Sequence, residues 1–295
     1  MNLRSILLQP LLTVVFHGRE VRWTLGRAGR IAAHGRAPLP PGMIDDGVIV
    51  DALAVGLCLR DTPDFPRGRR LQVISALPAQ RAVLRQLELP SLPKRQFVEL
   101  VQREVRREVP MLADNAHVTW TPVGERDGRT AVFVVGIGRD VLDSHIATLR
   151  AAGLRPQAID LRLVAAARAV GGRDAIIANV ERDEIELGIF RDGVPAILRF
   201  VPLSMADGDE RWQSQVAEEL ARTIKFYRDS HREDDAVDRM PITLVGGAAT
   251  LASEADLIGA TGHDARVARL RLALDGGADA LAFAANAGLV LKEAA

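Results

Sequence analysis

Residues 241–251 read Pro241-Ile242-Thr243-Leu244-Val245-Gly246-Gly247-Ala248-Ala249-Thr250-Leu251. A short apolar run, Ile242, Leu244 and Val245, ends in two glycines followed by small residues. The pattern predicts a buried strand that delivers a tight, Cβ-free turn into the start of a helix. Such a turn lets backbone approach a flat or anionic ligand closely, with helix N–H groups pointing outward. An ordinary β-to-α turn carries the same signature, so the weight falls on the segment ahead of it. That segment is Glu219-Leu220-Ala221-Arg222-Thr223-Ile224-Lys225-Phe226-Tyr227, a helix with Glu219 and Arg222 three apart on one face.

The chain has 295 residues, 48% of them apolar, enough for two ordinary domains or one two-lobed protein with a sizeable core. With 38 basic and 38 acidic residues the formal charge is zero, which argues against a nucleic-acid or membrane-surface field. The only lysines are Lys94, Lys225 and Lys292, so the chain holds no Gly-Lys-Ser/Thr phosphate loop. Cys58 is the only cysteine, which excludes an intrachain disulfide and a cysteine zinc cluster and suits a reducing cytoplasm. The apolar stretch Ile6 to Leu12 is short and broken by Gln9 and Pro10, a poor signal peptide. No run reaches the roughly 18 apolar residues of a spanning helix. The six histidines show no ligand spacing, and no metal site is expected.

In order, Leu11 to Phe16 reads as a strand, and Glu20 to Leu25 alternates as a second with Val21, Trp23 and Leu25 on one face. A third short strand is expected around Ile31, then a loop from Pro38, and Asp51 caps an apolar helix through Leu59. Arg67 to Arg70 is loop-like, and Leu71 to Leu77 is a strand stopped by Pro78. Leu87 to Pro93 is a proline-rich approach to a helix whose apolar face is Phe97, Leu100, Val101, Val105 and Val109, ended by Pro110. Strands at Ala116 to Pro122 and Thr130 to Ile137 are joined at Asp127-Gly128, and a helix from Asp140 to Ala152 closes at Gly153. Ile159 to Val170 reads as one apolar helix. Strands at Ala175 to Val180, Ile185 to Ile189 and Val194 to Val201 repeat the opening of the chain, which predicts an internal pseudo-duplication. Trp212 to His231 is a helix with Trp212, Val216, Leu220, Ile224 and Tyr227 on one stripe, followed by a solvated loop from Asp229 to Asp238. Ala280 to Leu291 reads as a packed core helix.

Taken together, these segments resemble the type IV pilus assembly protein PilM, a relative of the division protein FtsA. In that family a helix of the form Glu-Ile-x-Arg-Ser-Leu-x-Phe-Tyr precedes a strand ending Leu-Ser-Gly-Gly. The run from Pro38 to Ile49, the pair Gly138-Arg139 and the turn Ala152-Gly153-Leu154-Arg155-Pro156 also match its punctuation. The resemblance implies an α/β, actin-like (ribonuclease H-like, ASKHA) two-lobed fold with a small inserted subdomain. Its expected boundaries are 1–76 plus 158–173 for the first lobe, 77–157 for the insertion and 174–295 for the second lobe.

Actin-like ATPases hold magnesium nucleotide between their lobes with two hairpin loops, each needing an Asp for the metal and a Gly for phosphate. Where the family has Gly-Ile-Asp-Ile-Gly-Ser-Ser, this chain has Val14-Val15-Phe16-His17-Gly18-Arg19-Glu20; Phe16 replaces the Asp and only Gly18 is kept. Where it has Asp-Ile-Gly, this chain has Asn179-Val180-Glu181. Glu20 and Glu181 could form a carboxylate pair for acid–base work, but solvation of both is the expectation. By resemblance Glu219 and Arg222 border the nucleoside and Gly246 and Gly247 lie under the base; the alternative is a surface ion pair and a shaping turn. These residues would form a vestigial or weak nucleotide site, taking ATP or ADP weakly if at all, with no catalytic residue.

The resemblance therefore implies a non-catalytic cytoplasmic scaffold at the inner face of the membrane, in a type IV pilus or type II secretion-like machine. It would bind the N-terminal cytoplasmic tail of a PilN-like single-span partner, in the family's groove between the first lobe and the insertion, and couple it to the motor platform. A homo-oligomer is compatible. The alternative is an active actin-fold ATPase. A GspL-type secretion protein would continue into a spanning helix and FtsA carries an amphipathic anchor; neither is seen in this sequence.

Overall fold

The computed structural model describes residues 9–27, 29–45, 47–68, 70–108, 115–203, 209–274 and 277–294. Strands β1 (Leu11–Phe16), β2 (Glu20–Arg27) and β3 (Arg30–Pro38) form an antiparallel meander. A short ribbon, β4 (Ile44–Asp45) with β5 (Val48–Ile49), leads to α1 (Ala52–Asp61), whose first turn is capped by Asp51 accepting the Ala54 N–H. Next, β6 (Gln72–Leu77) runs parallel to β1, and β10 (Ala158–Leu161) runs parallel to β6. The sheet order is β10-β6-β1-β2-β3.

The second half repeats it. Strands β11 (Ala175–Val180), β12 (Glu184–Arg191) and β13 (Val194–Pro202) form the meander, and β14 (Ile242–Val245) and β15 (Ala265–Val267) add in parallel. Their order, β13-β12-β11-β14-β15, is that of the first sheet. The likeness reaches single residues at one constant sequence offset. His17 N–H donates to Glu20 O and Glu181 N–H to Glu184 O; Leu39 N–H donates to Arg19 O and Leu203 N–H to Asp183 O. A bulge falls at Leu25/Gly26 in one meander and at Ile189/Phe190 in the other. The duplication read from the strand pattern is present in the fold.

By contact density, residues 1–80 with 147–295 make one unit and 81–146 another. In the smaller unit, β7 (Ala82–Pro90), β9 (Arg129–Gly138) and β8 (Ala116–Arg126) form an antiparallel sheet in that order. Helix α2 (Lys94–Glu108) lays Phe97, Val101 and Val105 on Leu89, Val132 and Val134. Val109 and Pro110 lie outside the described residues. The approach to this helix is a strand, which the prolines concealed: Pro90 terminates β7, where a missing N–H costs the ladder little. Helix α3 (Arg139–Ala151) follows, and Leu149, Ala152 and Leu154 complete the core over β1 and β2.

In the larger unit, α4 (Arg162–Val170) and α7 (Ala284–Ala294) share a core with both sheets, with Val15, Ile74 and Ala76 from one and Ile177, Phe190 and Val245 from the other. The single helix expected over Ile159 to Val170 is a strand and then a helix, because β6 offers its free edge to Ala158–Leu161. Gly288 lets α7 approach α4: a Cβ there would stand 1.7 Å from Ala165 O. Gly288→Ala is therefore expected to lower stability by about 1–3 kcal/mol in urea denaturation, as overpacking does. On the outer face, α5 (Asp209–Ser230) buries the expected stripe of Trp212, Val216, Leu220, Ile224 and Tyr227. The loop expected to be solvated after it is partly a 3-10 turn, Asp235–Arg239, with Val237 buried. Helix α6 (Glu254–Thr261) completes the second lobe.

Candidate functional site

The turns β1–β2 and β11–β12 meet between the sheets; a Cβ on Gly18 would stand 2.7 Å from Asp183 Oδ2. Around that meeting point lies a buried ion network. Arg22 donates from Nη1 and Nη2 to Glu181 Oε1 and Oε2, both at 2.6 Å, and from Nη1 to Ala282 O at 2.8 Å. Its Nε donates to Glu20 Oε1 at 2.5 Å. Glu20 also receives Arg36 Nη1 at 3.0 Å, and Arg36 pairs in turn with Asp279. Burial alone would lower the Arg22 pKa, but Glu181 and then Glu20 raise it above its ordinary value.

A second centre sits on the α4 side. Arg162, 1% exposed, donates from Nε to Glu186 Oε2 at 2.6 Å and from Nη1 to Phe16 O at 2.9 Å. Its Nη2 stands 2.5 Å from Glu184 Oε1, an ion pair without the alignment of a hydrogen bond. Asn179 Nδ2 donates to Glu186 Oε2 at 3.3 Å. His17 Nδ1 lies 3.2 Å from Arg162 Nη1, 3.7 Å from Glu181 and 3.8 Å from Glu184. Burial, then the Arg22, Arg162 and Arg36 charges, hold His17 well below the usual histidine pKa, so Nδ1 accepts from Arg162. Burial, offset by Arg162 and reinforced by Glu186, Glu181 and Asp183, pushes Glu184 up to about 7.

The Gly246-Gly247 turn closes the third side. Gly246 has φ +102°, and a Cβ on it would meet Val180 O at 2.4 Å; this is where the strand's end needs glycine. Gly247 N–H donates to Glu181 Oε1 at 3.1 Å, and Ala248 N–H to Val180 O at 2.9 Å. Glu219 and Arg222 lie elsewhere, on α5. They pair with each other at 2.5 Å, and Glu219, 7% exposed, also takes Arg199 Nη2 at 3.3 Å, while Arg222 is exposed.

The structure thus brings Phe16, Gly18, Asn179, Glu181, Gly246 and Gly247 together and keeps Glu219 and Arg222 in a separate pairing. The solvation expected of Glu20 and Glu181 is corrected. Glu181 is 5% exposed and both carboxylates converge on Arg22, whose charge offsets the cost of removing them from water. Nor are they a pair open to a substrate, since the guanidinium stands between them. Arg22, Arg162, His17, Glu184 and Glu186 were not singled out by sequence. The one available signal was Arg22 and Thr24 interleaved with the apolar face of β2, which periodicity assigns to solvent but which are 3% and 0% exposed. Among the described residues, no group of three or more His, Cys, Asp or Glu is placed to hold a metal ion.

Compared with solved structures, the chain superposes on one from a PilM-PilN type IV pilus biogenesis complex with TM-score 0.76 at 19% identity, covering 97% of this chain and 98% of that one. The fold is actin-like. The ethanolamine utilization protein EutJ from Carboxydothermus hydrogenoformans follows at TM-score 0.56 and 14% identity, over 95% of this chain and 88% of its own. The cytoplasmic domain of EpsL, an inner membrane component of the type II secretion system of Vibrio cholerae, matches at 0.51 and 15%, over 94% of both chains. No family model and no curated protein sequence matches. At these identities the likeness carries the fold, and the PilM-type arrangement read from the sequence punctuation is the one found. No described helix is long and apolar enough to cross a membrane.

Proposed function

We propose that this protein is a non-catalytic scaffold of a type IV pilus or related secretion machine. In this reading it captures the cytoplasmic tail of a PilN-like, single-span inner-membrane partner, lies on the inner face of that membrane through it, and uses residues 77–157 as the inserted module. The observation that carries the reading is the Glu181 carboxylate, seated on the Gly247 N–H and gripped by both Arg22 nitrogens at 2.6 Å. In an actin-like ATPase the two hairpins and the double-glycine turn face magnesium nucleotide. Here an internal anion and an internal cation fill that geometry, and Phe16 and Asn179 stand where metal-holding aspartates would be. The residues present do not fit a magnesium triphosphate: it would have to displace Glu181 and would meet Glu184 and Glu186 behind it. Two like charges a few ångström apart oppose binding by about 4 kcal/mol at intermediate dielectric. Peptide capture requires no such site. The partner is suggested by the complex in which the PilM neighbour was solved.

The test is thermal unfolding with and without millimolar magnesium-ATP. A ligand at a hundredfold excess over its dissociation constant adds about 2.7 kcal/mol, so a binding site would show. No change in melting temperature is expected. A clear rise with phosphate release would replace the scaffold by an ATPase. The partner is tested separately: a single-span membrane protein is expected to copurify from detergent-solubilised membranes, and its absence would remove the pilus reading.

A further inference from the structure

The two glycines after β14 answer to different demands. Gly246 is fixed by its backbone, whereas Gly247 has no positive φ, and a Cβ on it would stand 2.9 Å from Glu181 Oε2 and 3.0 Å from Arg22 Nη2. The second glycine therefore makes room for a carboxylate. That carboxylate takes three donors: Arg22 Nη1 at 2.6 Å and the Gly247 N–H at 3.1 Å on Oε1, and Arg22 Nη2 at 2.6 Å on Oε2. A forked guanidinium and a backbone N–H converging on one carboxylate are the parts of an oxyanion site. The β11–β12 turn does not itself require an acid. Its counterpart in the β1–β2 turn, closed by the same backbone bond, carries His17 at that place.

Four separate segments meet at this carboxylate. Arg22 lies on β2 of the first sheet, Glu181 follows β11 of the second, Gly247 follows β14, and Ala282, whose O takes Arg22 Nη1 at 2.8 Å, precedes α7. We propose that Glu181 is a tethered ligand: its carboxylate occupies an oxyanion cradle formed by Arg22 and Gly247 and latches the two sheets together with no dissociable ligand. With the tether cut, the same cradle takes a small carboxylate from solution. Glu181→Ala removes a CγH2–carboxylate, the size of acetate, and takes the acceptor from Arg22 Nη2 and from the Gly247 N–H, groups that are costly to leave unpaired when buried. Because the latch is part of the chain, the arrangement of the sheets does not follow the nucleotide concentration. The proposal concerns the cradle alone and holds whatever the partner is.

The test is chemical rescue, read as the melting temperature of the full chain in sodium acetate against sodium chloride at equal ionic strength and neutral pH. Glu181→Ala is expected to melt about 10 °C below wild type in chloride. Acetate is expected to return about 3 °C of that loss, with propionate, one carbon longer, returning less. Wild type, whose cradle is filled, should not distinguish acetate from chloride, and neither should Arg22→Met with Glu181→Ala. A second measurement is a double-mutant cycle: Gly247→Ala, whose methyl group would displace the carboxylate, should destabilise wild type and cost far less in the Glu181→Ala background. If Glu181→Ala does not fold in chloride, refolding yield with and without acetate gives the same comparison. Equal behaviour of Glu181→Ala in acetate and chloride overturns the proposal, as does an acetate effect that persists without Arg22. So does a Gly247→Ala loss that is the same in both backgrounds. Failure of the rescue leaves the scaffold reading standing, because that reading is decided by magnesium-ATP and by the partner; a wild type that binds magnesium-ATP removes the scaffold reading and leaves the acetate comparison to decide the cradle.

Discussion

Replacing Arg162 by Met is expected to lower the free energy of unfolding by about 3–5 kcal/mol, the usual cost of removing one partner from a buried ion pair. Arg162 is 1% exposed and spans two structural halves: Phe16 O belongs to β1, while Glu184 and Glu186 belong to β12. Met fills much of the same volume, so the loss is electrostatic: at pH 8, above the Glu184 pKa of about 7, two carboxylates, 5% and 1% exposed, are left facing each other without a cation. Arg162→Lys is expected to lose an intermediate amount, because one ammonium cannot make the forked contact. Adding Glu184→Gln and Glu186→Gln to Arg162→Met removes the uncompensated charge and is expected to restore part of the loss. Urea denaturation of the single, triple and wild-type proteins is the measurement. A loss under about 1 kcal/mol in Arg162→Met would mean that the packing of α4 and α7, not this network, ties the sheets together.

The parts of this architecture that the sequence announces are those with a local period. The stripe from Trp212 to Tyr227 lies where burial demands it, Val21 and Trp23 are buried on the face the alternation gives them with Leu25 partly so, and the glycine pair sits where φ at Gly246 requires it. The repeated meander was legible for the same reason. What escaped was set by tertiary partners. Ala158–Leu161 has no alternation that separates strand from helix; only the edge of β6 decides it. Arg22, on the face that periodicity gives to water, is buried because Glu181, far away in sequence, meets it in two directions. Glu184 and Glu186 alternate on β12 as solvent-facing residues would, yet both are buried because Arg162 arrives from α4. Long-range charge pairs leave no local pattern, so reading Glu20 and Glu181 as solvated was the natural inference and the wrong one.

The network also contains more buried acid than base, and this sets its pH dependence. Glu181, Glu184 and Glu186 face Arg22 and Arg162, with Asp183 and Glu20 on the flanks and His17 and Arg36 completing the set. A proton on Glu184 balances the enclosed charges, which accords with its pKa near 7 against an ordinary value of 4.5. A carboxyl whose pKa is raised on folding adds stability that is complete below the unfolded value and lost as pH rises through the folded one. For Glu184 the window runs from pH 4.5 to about 7. His17 has the opposite sign: held neutral in the fold, it costs stability as pH falls below 6.5. The two compensate between pH 4.5 and 6.5, where they differ only in which of two groups 3.8 Å apart holds the proton. Buried His145, pushed down to about 3, adds to the low-pH loss but cancels in a comparison of variants. Glu184→Gln is therefore expected to match wild type near pH 5 and to gain on it as pH rises, by up to about 3 kcal/mol at pH 8, since each tenfold change in proton affinity is worth about 1.4 kcal/mol. His17→Asn should do the reverse, gaining on wild type as pH falls from 6.5 to 5. Urea midpoints at pH 5, 6, 7 and 8 for the three proteins measure both. A Glu184→Gln difference that stays flat across that range would mean that Glu184 is ionised throughout and that Arg162 alone balances the carboxylates of β12.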